Sequence, residues 1–220
     1  MDHDRLVQIA IQYPVLLFAL SFHESAHAWS ALRFGDTTAR DLGRISLNPL
    51  RHIDPIGTVF LPLMGMLGGG AFMIGWAKPT PVNLSRTSNP RKANLLVSAA
   101  GPLSNLLLCA VGFLALIALR HVPGAEGGTV EVLAPLFQIM LAFTLVNFGL
   151  GIFNLLPIPP LDGSHVLASL VGGKTAEILE RSNPLLGFGI LILLLYTGVL
   201  RALMQPLWVP FQALLFRVLS

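Results

Sequence analysis

The chain has 220 residues, of which 54% are hydrophobic and only 11% are charged, and its mean hydropathy is +0.71. Soluble domains carry about 25% charged residues, so this composition excludes an ordinary soluble domain and predicts an all-α polytopic membrane protein embedded in the lipid bilayer. The net charge of +3 comes from scattered Lys and Arg rather than from a basic block, which argues against nucleic-acid binding.

The first uncharged apolar stretch, Leu6 to Leu32, contains the sequence His-Glu-Ser-Ala-His at residues 23–27. Residues four apart share a helix face, so His23 and His27 can direct ring nitrogens at one metal ion, as in zinc hydrolases. Glu24 projects from the adjacent edge of the helix. Two imidazoles and a carboxylate are costly to bury in lipid, so they predict a metal site inside the membrane. The alternative is that they only hydrogen-bond neighbouring helices.

Glycines and prolines interrupt the second apolar stretch, residues 55–77, which predicts a re-entrant loop or helical hairpin rather than a regular spanning helix. We therefore expect about four to five transmembrane helices, this re-entrant or hairpin segment, and a short β element near residues 37–50. The remaining apolar stretches cover residues 93–119, 132–156, 184–200 and 202–216.

These elements are expected to form one membrane-embedded domain over residues 1–220, with a catalytic core at about 6–170 and C-terminal helices at about 184–219.

A proline-rich segment follows the stretch at 132–156 and ends in Asp162. Its three prolines block helix continuation, which predicts that the span ends here in an extended segment. A zinc site with two histidines needs a third protein ligand and an open position for water, and a carboxylate at the end of an apolar span fits that need. Asp162 is the candidate ligand. His165 is the competitor, or else a group that orients a ligand.

Three asparagines lie in or at the ends of apolar stretches. Asn105 ends a run of small residues that lets a neighbouring backbone approach closely. Asn147 and Asn154 are seven residues apart and fall on one helix face. Asn154 or Asn105 could donate an amide N–H to an oxyanion, and Asn147 could orient a ligand from behind. The alternative is hydrogen bonding between helices for Asn147 and Asn154, and packing alone for the segment that ends in Asn105.

The combination of motifs resembles the site-2 proteases, which are intramembrane zinc metalloproteases. The matching segments, which extend from the first span to about residue 170, are residues 23–27, Asn-Pro-Leu-Arg-His-Ile-Asp-Pro-Ile-Gly-Thr at 48–58, Gly-Trp-Ala-Lys-Pro-Thr-Pro-Val-Asn at 75–83, Ala-Gly-Pro-Leu-Ser-Asn at 100–105, and 154–165. The resemblance implies one zinc ion per chain, held by His23, His27 and Asp162, with Glu24 as the catalytic base. The PDZ or CBS domains of some relatives have no counterpart, so the match is to a compact form.

The activity that this resemblance implies is hydrolysis of peptide bonds in or near the transmembrane segments of other membrane proteins. A substrate helix must unwind locally, because a helical backbone hides its carbonyls, and the 157–161 segment or the 40–47 stretch could pair with it. The alternatives are an inactive relative that binds membrane helices and a metal-ion transporter. A transporter would spread its ligands along a pathway instead of fixing a base beside two ligands on one turn.

The membrane topology follows from requiring the ligands to meet. His23 and His27 lie near the C-terminal end of the first span and Asp162 follows the end of a later one, so 55–77 must not cross. One side then collects most of the basic residues, and the positive-inside rule makes it cytoplasmic. We therefore expect an integral protein of a prokaryotic cell membrane, with its N-terminus outside and its active site toward the cytoplasm. The basic residues on that side are Arg33, Arg40, Arg44, Arg51, Lys78, Arg86, Arg91, Lys92, Lys174 and Arg181.

Overall fold

The computed structural model describes residues 3–67, 75–122, 130–180 and 183–219, and within these ranges the chain is helical, with no strand. Four helical spans are long and apolar enough to cross a membrane, namely His3–Arg33, Pro90–Arg120, Leu133–Asn154 and Val199–Leu219. The predicted all-α membrane fold is therefore confirmed. The helices are α1 His3–Arg33, α2 Thr38–Asp41, α3 Leu61–Leu67, α4 Pro90–Arg120, α5 Val130–Asn154, α6 Asp162–Val171, α7 Gly173–Glu180, α8 Pro184–Tyr196 and α9 Val199–Leu219.

Helices α1, α4 and α5 pack against one another and form the centre of the molecule. Helices α1 and α4 are antiparallel, because the Ser30 hydroxyl near the end of α1 donates to the Leu96 carbonyl near the start of α4. The exposed face of α4 is apolar and repeats at helical spacing, as a face in contact with lipid should. Its residues are Leu103, Leu107, Val111 and Leu114.

Helix α9 runs parallel to α4, since the Arg120 guanidinium at the end of α4 donates to the Val218 carbonyl at the end of α9. The aromatic rings of Phe148 in α5 and Phe211 in α9 stack with their centroids 3.8 Å apart. Helix α5 is antiparallel to α4, because Gly112 of α4 lies beside Thr144 and Gly151 of α5 lies beside Leu106. Helices α1 and α5 therefore run in one direction across the bundle, and α4 and α9 run in the other.

The stretch at 55–77 returns to its starting point. A π-helical turn at Pro55–Phe60 leads into α3, and the Trp76 N–H then donates to the Gly57 carbonyl over 3.0 Å. A Cβ atom at Gly57 would lie 2.4 Å from the Trp76 indole, so only glycine permits this close return. The predicted hairpin is confirmed for the residues described. Residues 68–74, with three of the glycines that favoured it, lie outside them.

The β element predicted near 37–50 is wrong, because this stretch contains the helical turn α2 and a 3-10 turn at Pro49–Arg51. The cause lies in Asp36, whose carboxylate accepts the Thr38 N–H over 3.0 Å and thereby starts a turn. The same carboxylate accepts the Asn83 N–H over 2.6 Å, which ties the end of α1 to the segment before α4. Although burial alone would raise the pKa of Asp36, these hydrogen bonds and the Thr38 hydroxyl lower it below its ordinary value.

Helix α5 ends at Asn154, as the prolines predicted, but the segment after it is not extended. Residues 155–161 form turns in which the Ile158 N–H donates to the Leu156 carbonyl over 2.8 Å and the Leu161 N–H donates to the Ile158 carbonyl over 2.9 Å. These bonds occupy backbone groups that a strand-like substrate would need. The expectation of an extended docking segment at 157–161 is therefore wrong.

Candidate metal centre

Three side chains from distant parts of the sequence bring one ligand atom each to a single point. His23 Nε2 lies 3.0 Å from His27 Nε2, and Asp162 Oδ2 lies 3.1 Å from the first and 3.3 Å from the second. A tetrahedral zinc ion with bonds of about 2.0–2.1 Å separates its ligand atoms by about 3.3 Å. The triangle therefore fits three of the four positions around zinc, and the fourth is left for water or substrate. Among the described residues, no other group of this kind occurs.

The local sequence explains how each ligand reaches this point. Both histidines are buried, at 5% and 8% exposure, because their face of α1 packs against α4. Asp162 is the first residue of α6, where the chain turns back after the prolines. A Cβ atom at the next residue, Gly163, would lie 2.2 Å from the Leu155 carbonyl oxygen, so glycine is needed for the turn that carries Asp162 to the histidines.

The Nδ1 atoms of both histidines are hydrogen-bonded on the side away from this point. His27 Nδ1 donates to the Val97 carbonyl over 2.7 Å, and His23 Nδ1 lies 2.6 Å from the Asn105 Oδ1 atom. A histidine that donates from Nδ1 keeps Nε2 unprotonated and available to a metal. Both rings are thus in the tautomer that a metal site requires.

Glu24 is half-buried beside the histidines, and its carboxylate is held by Thr80, which lies in the matching segment 75–83 but was not a predicted site residue. The Thr80 N–H donates to Glu24 Oε2 over 2.8 Å, and the Thr80 hydroxyl donates to the Glu24 backbone carbonyl over 3.0 Å. Pro79 and Pro81 flank Thr80 and keep the backbone extended. The sequence signals at this position were the matching segment 75–83 and the proline on each side of Thr80, but neither indicated a contact with Glu24.

Gly101 of α4 is a second residue whose importance sequence reasoning missed. A Cβ atom here would lie 2.3 Å from His27 Nε2 and 2.6 Å from His23 Nε2. The two ligand atoms therefore occupy the space that a side chain at residue 101 would fill. The run of small residues at 98–101 indicated close packing, but not that a metal ligand would be the partner.

The four other predicted site residues divide into two pairs. Asn105 and Asn147 are fully buried behind His23, and Asn105 touches that ring. Asn154 is half-buried at the end of α5, where its Nδ2 atom donates to the Leu150 carbonyl over 3.0 Å. His165 is half-buried on α6 and is not part of the ligand triangle. The part of the chain that the structure describes contains no hydrogen bond from Asn154 or His165 to the three ligands.

Comparisons with known proteins agree with this site. The model of a family described as peptidase family M50 matches residues 13–133 and 125–196. "Putative zinc metalloprotease YwhC" of Bacillus subtilis (strain 168) is 38% identical over 195 residues, which cover 87% of this chain and 83% of that protein.

More distant relatives follow. "Putative zinc metalloprotease Rip2" of Mycolicibacterium smegmatis is 32% identical over 184 residues, which cover 84% of this chain and 66% of that protein. The protease RseP of Photorhabdus luminescens is 33% identical over 75 residues, or 32% of this chain and 33% of that protein. No solved structure matches the chain.

Proposed function

This chain belongs to peptidase family M50 and is a zinc metalloprotease, and from that premise we propose that it cuts peptide bonds in or near the transmembrane segments of other membrane proteins. The observation that carries the proposal is the depth of the ligands. At a rise of 1.5 Å per residue, His27 and His23 lie about 9 and 15 Å from the C-terminal end of α1, a helix of membrane-spanning length. With this helix across the bilayer, a substrate would reach the metal within the membrane.

Each residue has a specific task in this reaction. His23, His27 and Asp162 hold the metal, which when bound lowers the pKa of a water molecule and polarises the scissile carbonyl. Glu24 accepts the proton of the attacking water and returns a proton to the leaving amine. The hydrogen bond from the Thr80 N–H to one oxygen fixes the carboxylate, and no second hydrogen bond to this carboxylate is found among the described residues. The other oxygen is then available for the proton.

A test of this function uses the purified protein in liposomes with a peptide that contains one transmembrane helix. Cleavage should fall to background when phenanthroline removes the metal and should return when zinc is added, because zinc ligation is reversible. Casein is the control substrate, since it is soluble and needs no membrane. Cleavage that survives metal removal would contradict the metalloprotease, and faster cleavage of casein than of the membrane peptide would contradict the intramembrane site.

The active site opens toward the cytoplasm in this proposal. The antiparallel α1 and α4 put the chain between them on one side, and this side carries most of the basic residues. Of the thirteen Lys and Arg residues that the structure describes, only Arg5, Arg120 and Arg217 belong to the opposite ends of the helices. The N-terminus then faces the outside of the cell.

Thiol labelling of intact cells tests this orientation. Single cysteines replace Thr37, Ser85 or His121 in a Cys109→Ala background, and an impermeant maleimide is added outside. We expect Thr37→Cys and Ser85→Cys to be protected and His121→Cys to be labelled, since the first two flank the hairpin and the third follows α4. Labelling in permeabilised cells is the control for reactivity. Opposite results for the first two positions would show that the hairpin crosses the membrane.

A further inference from the structure

We propose that Asn105 and Asn147 are positioning residues that form a hydrogen-bonded relay and hold His23 in the tautomer and orientation that zinc requires. The proposal rests on the zinc site described above. The relay joins three helices, because His23 lies on α1, Asn105 on α4 and Asn147 on α5. Both asparagines have 0% exposure, so neither can exchange its protein partner for bulk water.

The contacts of this relay are continuous from α5 to the metal ligand. Asn105 Oδ1 lies 2.6 Å from His23 Nδ1, and Asn105 Nδ2 donates to the Ala19 carbonyl over 3.2 Å and to Asn147 Oδ1 over 2.9 Å. Asn147 Nδ2 in turn donates to the Phe143 carbonyl over 2.9 Å. Neither amide nitrogen lacks an acceptor, and neither amide oxygen lacks a donor.

The backbone carbonyls of Phe143 and Ala19 determine how the side-chain amides of Asn147 and Asn105 are oriented. A carbonyl oxygen only accepts, so the Phe143 carbonyl requires the Asn147 amide nitrogen, and the Asn147 oxygen must then face Asn105. Asn105 consequently turns its amide nitrogen toward Asn147 and Ala19 and its oxygen toward His23. That oxygen can only accept, so His23 must carry its proton on Nδ1. Nε2 is thereby left unprotonated for the metal.

The two histidines differ in what holds them. His27 donates to a backbone carbonyl, which no substitution at Val97 removes, whereas His23 depends on a side chain. Loss of a hydrogen-bond partner behind a metal-binding histidine typically weakens metal binding by about 10- to 100-fold. Of the two histidines, His23 is therefore the one whose binding to zinc a substitution of its hydrogen-bond partner can weaken. Both N–H groups of the Asn105 amide already donate, one to Ala19 and one to Asn147, so Asn105 has no free N–H with which to stabilise an oxyanion.

If the two asparagines only linked the helices, substitutions at Asn105 would affect zinc binding differently. Asn105→Leu removes all three hydrogen bonds of the amide, whereas Asn105→Asp keeps an acceptor for His23 and loses the donors to Ala19 and Asn147. If Asn105 positions His23, the aspartate variant should retain zinc within about 5-fold of wild type, since carboxylate partners are common behind zinc-bound histidines. If it only links helices, both variants should lose zinc to the same extent or not at all.

The experiment measures the zinc dissociation constant of the full-length protein in detergent by competition with a chromophoric chelator. Asn105→Leu should weaken zinc binding by about 10- to 100-fold. Asn147→Leu should weaken it by a smaller factor, and the double variant should match Asn105→Leu, because Asn147 acts only through Asn105. Thr144→Val is the matched control. Thr144 is buried on α5 one turn before Asn147, but its hydroxyl bonds only the Met140 carbonyl of its own helix.

Thermal unfolding of the metal-free variants separates folding from zinc binding. Should Asn105→Leu fail to fold, Asn147→Leu and Asn105→Asp still decide the matter, since the first should bind zinc more weakly than the second. Additive effects of the two leucine substitutions, or equal zinc loss in Thr144→Val, would overturn the relay. An unchanged zinc affinity in Asn105→Leu, with zinc-dependent cleavage intact, would reject the relay alone, whereas a wild-type protein without zinc binding would reject the proposed function itself.

Discussion

Replacing Glu24 with glutamine is expected to slow peptide cleavage by about 10²- to 10⁴-fold while zinc stays bound, because a general base contributes about that much to catalysis. Glutamine has the size of glutamate, and its side-chain oxygen can still accept the Thr80 N–H that holds Glu24 over 2.8 Å. The substitution thus preserves the position of the side chain and removes only its ability to accept a proton. Cleavage of the membrane peptide and zinc content by plasma mass spectrometry are measured on the same preparation.

Asp162→Ala provides the contrast. This variant keeps Glu24 but removes one corner of the ligand triangle, so we expect it to lose zinc and with it all cleavage. Turnover of Glu24→Gln close to that of wild type would show that another group is the base. Unchanged zinc content in Asp162→Ala would show that the third ligand lies elsewhere, and His165→Ala would then be examined next.

Much of the site could be predicted because its constraints are local. The spacing of His23 and His27 places them on one helix face whatever surrounds that helix. The prolines after Asn154 end α5 whatever the position of this helix in the membrane, and they leave Asp162 just beyond the end of a span. The hairpin at 55–77 followed from the glycines and prolines of that stretch and agreed with the requirement that the ligands meet on one side. None of these inferences needed the angle or rotation between two helices.

What could not be predicted depends on that rotation. The face of α4 that meets α1 determines that Gly101 lies at the histidine nitrogens and that Asn105 accepts from His23. The apolar sequence of α4 does not specify this face, since packing and lipid contact favour similar residues in a membrane. The contact between Thr80 and Glu24 is equally non-local, because it joins the chain after the hairpin to the middle of α1.

The β element near 37–50 failed for a different reason. The side chain of Asp36 makes a turn with Thr38 and ends any extended run. Gly43 then adopts a φ of +66°, which redirects the chain before Arg44. Short polar side chains that hydrogen-bond to the nearby backbone determine the structure of such segments. The pattern of hydrophobic residues does not reveal these hydrogen bonds.

Gly101→Ala is expected to abolish zinc binding in a protein that still folds. The added Cβ atom would lie 2.3 Å from His27 Nε2 and 2.6 Å from His23 Nε2, distances that force both rings away from the point where they meet Asp162. The rings are the ends of rotatable side chains, so they can move without unfolding α1. Alanine also favours a helix over glycine by about 1 kcal/mol, which offsets part of the repacking cost.

Gly112→Ala is the matched control, because this residue lies on the same helix and packs as tightly. A Cβ atom there would lie 2.5 Å from the Thr144 hydroxyl and 2.9 Å from a Phe143 ring carbon, far along α4 from the metal ligands. We expect Gly112→Ala to lower the melting temperature and to keep zinc, and Gly101→Ala to fold and to lose zinc by more than about 100-fold in affinity. Equimolar zinc with normal cleavage in Gly101→Ala would mean that α4 does not approach the histidines this closely, and the geometry of the metal centre would have to be revised.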